Sequence, residues 1–283
     1  MTNVALTGTS GFVGSQLAER FARDGLHVTR LSSSGAGDVM FRLGDEVKPD
    51  EFSSREIDAL VHCAYDFSPV TWSEIHRVNV EGTRKLLDAA VAGGVKRIVA
   101  VSSISAFPGC RSLYGKAKLE IEVWAERVGA CIVRPGLVYA DTSARSGGMY
   151  GSLVQSARAS LVPQIGDGRY CQYLIHIDDL YALVSRMAGG ELRRPARPVV
   201  AASPRCWTMR ELVAELGRRQ GRHPRFLSVP WRAIWLGLKT AELARLRLGY
   251  RSDSVISLVH QDPHPDFSAL KELGVTVREF GTA

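Results

Sequence analysis

Thr7-Gly8-Thr9-Ser10-Gly11-Phe12-Val13-Gly14 is the stretch that decides the fold. It follows the apolar run Val4-Ala5-Leu6 and opens Phe12 to Arg23, where Phe12, Leu17 and Phe21 recur at helical spacing. Glycines in a turn between a strand and a helix have a plain physical use. The early ones let backbone approach a pyrophosphate, the last allows tight helix-to-sheet packing, and the helix start offers unpaired N–H groups to an anion. Gly8, Gly11 and Gly14, with Ser10, Phe12 and Val13 between them, therefore read as a dinucleotide-binding turn rather than an ordinary glycine-rich loop.

Downstream the pattern keeps alternating. His27 to Leu31 reads as a strand, Ser32 to Asp38 as a turn and Val39 to Leu43 as a brief strand. Strands at Ala59 to Cys63, Val95 to Ser102 and Cys131 to Arg134 are separated by helices at Glu74 to Ala92 and Leu113 to Val128. Helix-length crossovers imply parallel pairing, and the order fits an α/β fold with a doubly wound parallel sheet of the Rossmann type. Past Pro135, Gly147 to Gly151 reads as a loop and Leu153 to Ser160 as a helix. Gly166-Asp167-Gly168 then marks a turn, Tyr173 to Ile177 a strand, and Asp178 the cap of a helix at Leu180 to Met187. A strand at Pro198 to Ala201 and helices at Met209 to Gln220 and Pro230 to Leu246 complete the chain. Residues 1–165 are expected to form mainly the dinucleotide domain. Within 166–283, residues 178–201 return to the main sheet and the remainder forms a small, discontinuous substrate-binding lobe. Trp231, Ile234, Trp235, Leu238 and Ala241 form a helical stripe expected to pack on that lobe.

The 283 residues are 45% apolar and 23% charged, enough to build a sizeable core. No run of eighteen apolar residues and no leader-like start is present, so a cytoplasmic protein without a membrane span is expected. Cys63, Cys110, Cys131, Cys171 and Cys206 are far apart and read as reduced thiols, and neither they nor the histidines suggest a metal site. The net charge of +7 is concentrated between Glu191 and Arg251, where fourteen Lys or Arg face four acids. With no aromatic-rich binding strand or recognition helix, an anionic small molecule fits that charge better than nucleic acid.

Tyr114 and Lys118 lie four residues apart, which puts phenol and ammonium on one helical face. An adjacent ammonium favours phenolate, and Ser102 or Ser103, at the end of the preceding strand, could bind a reacting oxygen. Lys116, two residues from Tyr114, points to the opposite side. The second strand ends Arg30-Leu31-Ser32-Ser33 without an acid for the adenosine ribose. That absence tilts the cofactor toward NADP over NAD, with Arg30 or Arg42 to supply positive charge.

These pieces together resemble the extended or atypical short-chain dehydrogenase/reductases, in the NAD-dependent epimerase/dehydratase group. Further matches are Leu43-Gly44-Asp45, Val61-His62-Cys63-Ala64, Asn79-Val80-Glu81-Gly82-Thr83, Arg134 to Tyr139 and His176 to Leu180. The resemblance implies that Asp45 meets adenine, Ala64 lines the cofactor path, Asn79 supports the active-site strand and Pro135 packs on the nicotinamide carboxamide. It implies Ser103 as the catalytic serine with Ser102 its rival, Tyr114 as proton donor or acceptor, and Lys118 as the ribose ligand that lowers the tyrosine pKa. It also implies a homodimer paired through helices Glu74 to Ala92 and Leu113 to Val128. The chain departs from the sugar-nucleotide pattern in having only ten residues between Ser103 and Tyr114, and Ile104 where dehydratases place an acid. A 4,6-dehydratase is thereby disfavoured. An NADPH-linked carbonyl/alcohol oxidoreductase, a sugar-nucleotide epimerase with retained NAD, and, as a lesser alternative, a non-catalytic dinucleotide-sensing regulator stay open.

Overall fold

The computed structural model describes residues 3–33, 37–141, 147–244, 246 and 251–281. In chain order its first half consists of β1 (Asn3–Thr7), α1 (Phe12–Arg23), β2 (His27–Ser32), β3 (Val39–Met40), α2 (Asp50–Ser53), β4 (Ala59–His62), α3 (Trp72–Ile75), α4 (Gly82–Ala92), β5 (Arg97–Val101), α5 (Leu113–Arg127) and β6 (Cys131–Pro135). There follow β7 (Leu137–Tyr139), α6 (Gly148–Ser156), β8 (Leu161–Ile165), β9 (Cys171–Gln172), β10 (Leu174–His176), α7 (Ile177–Gly189), β11 (Val199–Ala201), β12 (Trp207–Thr208), α8 (Met209–Arg219), β13 (Arg225–Val229), α9 (Trp231–Leu243), α10 (Ser252–Val259) and α11 (Ser268–Glu272).

Seven strands form one parallel sheet in the order β11-β6-β5-β4-β1-β2-β3. Its central strands are almost wholly buried, as expected where helices cover both faces. One face packs Leu17 and Phe21 of α1 with Leu180 and Val184 of α7 and Leu270 of α11. The other packs Leu86 and Leu87 of α4 with Ala125 of α5. Strand order reverses between β1 and β4, so the crevice for a ligand opens at their carboxyl ends.

Several expectations are corrected. Glu74 to Ala92 is not one regular helix: a π turn, His76–Glu81, joins α3 to α4. Gly148 to Gly151, read as loop, begin α6. Asp178 is not the cap of α7. His176 is, its Nδ1 accepting the Asp178 N–H (3.2 Å), while the Asp178 carboxylate pairs with Arg20 at 2.7 Å. The turn after Ser32 lies partly outside the described residues, and the following strand is only Val39–Met40.

The lobe beyond β6 is built on short two-stranded pairings, β7 with β10, β8 with β13 and β9 with β12, which the residue pattern did not reveal. Its core gathers Tyr139, Tyr150, Leu153, Leu212, Leu216 and Phe280. The expected reduced thiols at Cys171 and Cys206 are instead a disulfide, with Cα atoms 5.1 Å apart. Antiparallel pairing of β9 with β12, Thr208 opposite Cys171, brings these distant cysteines together. Cys63, Cys110 and Cys131 stay free. Closing a loop of this length is worth roughly 3–4 kcal/mol on chain entropy. Cys206→Ser should therefore lower urea-unfolding stability by about that amount, and dithiothreitol should destabilise the wild type but leave the variant unchanged.

Candidate active site

The carboxyl ends of β1, β2, β4, β5 and β6 open into a cleft of about 1380 Å³. Its nearest wall is the glycine turn. A Cβ on Gly14 would stand 2.2 Å from the Gly8 carbonyl oxygen, and one on Gly8 would meet Cys63 and Ala64 backbone at 2.8 Å; Gly8 also has φ +74°. Gly11 has no such conflict with the protein, so its bareness faces the cleft it lines. It is also the N-cap of α1 and places no side-chain oxygen on the helix's first N–H groups, leaving them for an anion. A dinucleotide pyrophosphate fits this wall.

Ser10, Phe12, Val13, Ser32, Ser33, Ala64, Ser102, Ser103, Tyr114, Lys118 and Pro135 all line the same cleft. Arg42 lines it with Ser32 and Ser33, whereas Arg30, on the same face of β2 as Ser32 but two residues further from the strand's carboxyl end, is exposed and does not. Asp45 is exposed and outside the lining, and Asn79 is fully buried outside it. Asn79 braces the loop after β4, accepting the Asp66 N–H (2.7 Å) and donating to the Asp66 carbonyl (3.0 Å). The π turn carries Asn79. Gly82, just after it, lies so close to Gly44 that a Cβ would be 2.4 Å from the Gly44 nitrogen. Packing thus accounts for much of the motif pieces around Gly44 and Asn79.

The two serines after β5 separate cleanly. Ser102 donates to the buried Glu122 carboxylate (2.5 Å), which also receives the Arg134 guanidinium fork at 2.6 and 2.9 Å. Ser103 instead lies beside the Tyr114 phenol and accepts the Ser105 N–H at 3.1 Å. Burial pushes the Tyr114 phenol above its ordinary value, and the Ser103 hydroxyl opposes this. Lys118 shares the helical face with Tyr114. Its ammonium is buried and donates to the Val101 carbonyl (2.9 Å), 5.3 Å from the Tyr65 ring centre. Burial pulls Lys118 down to about 8, against the opposing pull of Cys63 and Glu122.

Sequence reasoning missed what covers this site. Asp253 of α10 accepts the backbone N–H of Leu113 (2.8 Å) and Tyr114 (2.9 Å), two orphan donors in the first turn of α5. Ser257 of α10 bonds Ser105 at 3.0 Å, and the rings of Tyr65 and Phe67 flank Tyr114 at 4.9 and 5.6 Å. The only local signal was Asp253 at the start of a short apolar run. Among the described basic residues between Glu191 and Arg251, those that line the cleft are Lys239 and Arg251, and both sit beside Glu242. Arg251 is further held by the Phe67 and Pro69 carbonyls. Asp167 and Arg169 simply pair with each other at 2.9 Å.

Beneath the cleft floor His62 is buried between Thr7 (Nδ1, 2.8 Å) and Thr83 (Nε2, 3.0 Å). The Thr7 oxygen already accepts N–H groups from Cys63 and Ala64, so its own proton goes to Nδ1 and Nε2–H donates to Thr83. Burial and then the Lys118 charge depress this imidazole to about 3. An unfolded chain takes up that proton below its ordinary value near 6.5 while the folded one refuses it. The stability His62 contributes is therefore complete above that pH and declines as pH falls toward about 3. Urea-unfolding free energies measured from pH 7 to about 4.5 should fall in the wild type by up to about 1.4 kcal/mol per pH unit more than in His62→Gln.

The profile of the NAD dependent epimerase/dehydratase family matches residues 4–195. A ceramide reductase of Caulobacter vibrioides is 27% identical over 241 residues, covering 80% of this chain and 73% of that protein. An L-arabinose 1-dehydrogenase (NAD(P)(+)) of Haloferax volcanii is 30% identical over 107 residues, 36% of this chain and 41% of its own. Among solved structures, MoeE5 in complex with UDP-glucuronic acid and NAD superposes with a TM-score of 0.71 at 20% identity, covering 99% of this chain and 94% of its own. DesIV, a dTDP-glucose 4,6-dehydratase from Streptomyces venezuelae with NAD bound, gives 0.67 at 21% identity over 99% of this chain and 93% of its own. At such identities the two structures speak to the fold. Strand order, the glycine wall and the profile over residues 4–195 agree, and the chain belongs to the NAD dependent epimerase/dehydratase family, as an NAD(P)-dependent oxidoreductase or epimerase.

Proposed function

We propose that the protein is a carbonyl/alcohol oxidoreductase working as an NADPH-linked reductase, with Tyr114, Ser103 and Lys118 as its acid/base apparatus. The observation that carries the reading is the meeting of Tyr114 and Ser103, beside Lys118, in the cleft walled by the glycine turn. The Gly8 to Gly14 turn would hold the pyrophosphate, Ser32, Ser33 and Arg42 the adenosine end, and Lys118 and Pro135 the nicotinamide end. When bound, the cofactor supplies hydride. Ser103 would orient the substrate oxygen, and Tyr114 would donate its proton to the alkoxide formed there. A buried phenol held above its ordinary pKa starts the reaction protonated, which suits the reductive direction. Ile104, Leu113 and Phe67 line the cleft and would exclude water.

Reduction is favoured over sugar-nucleotide epimerisation because Lys239 and Arg251, the described cations of the basic region at the cleft, are committed to Glu242 and to loop carbonyls, and because the Caulobacter relative is named a reductase. One observation favours the epimerase as a second reading: Arg111, exposed at the cleft, could receive an anionic substrate. An epimerase recycles its hydride, so the protein would then be isolated with NAD tightly retained. The reading includes a homodimer paired through α3, α4 and α5, where the exposed Trp72, Val91 and Val123 would be covered.

Tyr114→Phe keeps the ring and its packing while removing the proton. Turnover should drop by roughly 10² to 10⁴ with cofactor affinity retained. Near-wild-type turnover, with chemistry limiting the rate, would place the donor elsewhere. For the cofactor, Arg42→Ala should weaken NADPH binding about tenfold in titration and leave NADH unchanged, as expected for loss of one charge-assisted phosphate contact.

A further inference from the structure

Among the described helices α9 is unusual. It runs for 13 residues and contains no fully buried side chain. Its stripe of Trp231, Ile234, Trp235 and Leu238 is half-buried on the side toward α10, as the residue pattern led one to expect. A second set lies about 120° round the helix from this stripe. At 100° per residue, Arg232, Leu236, Lys239 and Leu243 fall within an arc of about 60°. Leu236 is 57% and Leu243 76% exposed, with Leu246 at 61% just past the helix. Trp235, Lys239 and Glu242 line the cleft, so this leucine arc borders the cleft mouth directly. Exposed Phe67 and Val70 line the same cleft, and their loop is tied to this region by Arg251, which bonds the Phe67 and Pro69 carbonyls.

Charge identifies what such a face would meet. On the leucine arc itself Arg232 is exposed and Lys239 is 39% exposed, and the acid of this helix's second half is Glu242. Glu242 is occupied inward, accepting the Ser252 N–H and hydroxyl, each at 2.8 Å. Exposed leucines flanked by basic side chains, beside tryptophans, are the chemistry of a helix lying in an anionic membrane interface, its cations reaching the headgroups. A second copy of this chain would set like charge against like charge, and nucleic acid has no use for the leucines.

We infer that the outer face of α9 docks on an anionic lipid bilayer and holds the cleft mouth, rimmed by Phe67 and Val70, against it, so that a carbonyl substrate carried on an apolar chain enters from the membrane. The substrate half rests on the proposed reductase; the docking half does not. The full chain is tested by flotation, without cofactor, on phosphatidylcholine vesicles containing one part in four of phosphatidylglycerol and on phosphatidylcholine alone. The wild type should float with the anionic vesicles and bind them at least about tenfold more tightly than the neutral ones. Leu236→Gln with Leu243→Gln should lose at least about tenfold in binding, since each leucine contributes buried apolar surface, while its melting temperature and cofactor affinity match the wild type. Equal flotation of variant and wild type, absence of wild-type binding, or a wild-type dimer by light scattering that the double variant dissolves would each overturn the docking. If docking holds but Tyr114→Phe keeps full turnover, the reductase reading alone falls.

Discussion

Everything at this site depends on the absence of two side chains. Gly8 and Gly14 let β1, the start of α1 and the loop after β4 approach until a single added carbon would collide with backbone. That approach sets the helix N-terminus directly over the sheet's carboxyl edge and leaves the cleft its depth. Ser103, Tyr114 and Lys118 matter only because the cleft they line reaches this wall.

Beneath the wall the protein keeps its polar groups committed. Thr7 donates to His62, which donates on to Thr83, and Glu122 is neutralised by Arg134 while it holds Ser102. Burying such groups is costly unless they are paired. Their pairing rigidifies the ends of β1, β4 and β5, leaving Ser103 and Tyr114 as the pair turned to one another. Lys118 occupies a middle position, buried enough that its ammonium gives up its proton more readily yet still within the cleft.

How far the sequence could be read follows from the range of the forces involved. β1, β4 and β5 were legible because strands covered on both faces are continuous apolar runs, and α1 because its glycines and periodicity agree. What holds Ser102 is Glu122, twenty residues later on another element. Asp253 reaches the first turn of α5 across 140 residues, a distance no local pattern reports. The π turn around Asn79 has a helix-like composition, so periodicity passed over it, and Arg30 was counted toward the cofactor because where the cleft meets β2, at Leu31 and Ser32, depends on the neighbouring strands. The lobe was hardest, since strands of two to five residues carry too few positions for a period-2 pattern to stand out.

Phe280 has a consequence for how the molecule is assembled in time. Its ring is buried within the lobe, edge-on to Tyr139, Tyr150 and Trp207. Each strand of the seven-stranded sheet precedes residue 202 in the chain. During synthesis the dinucleotide half can therefore acquire its sheet while the lobe still lacks its central ring, and the lobe's core closes only after residue 280 has emerged. Until then Tyr139 and Tyr150 present an open aromatic socket, which makes the interval between those two moments the one in which the nascent chain most needs protection from aggregation.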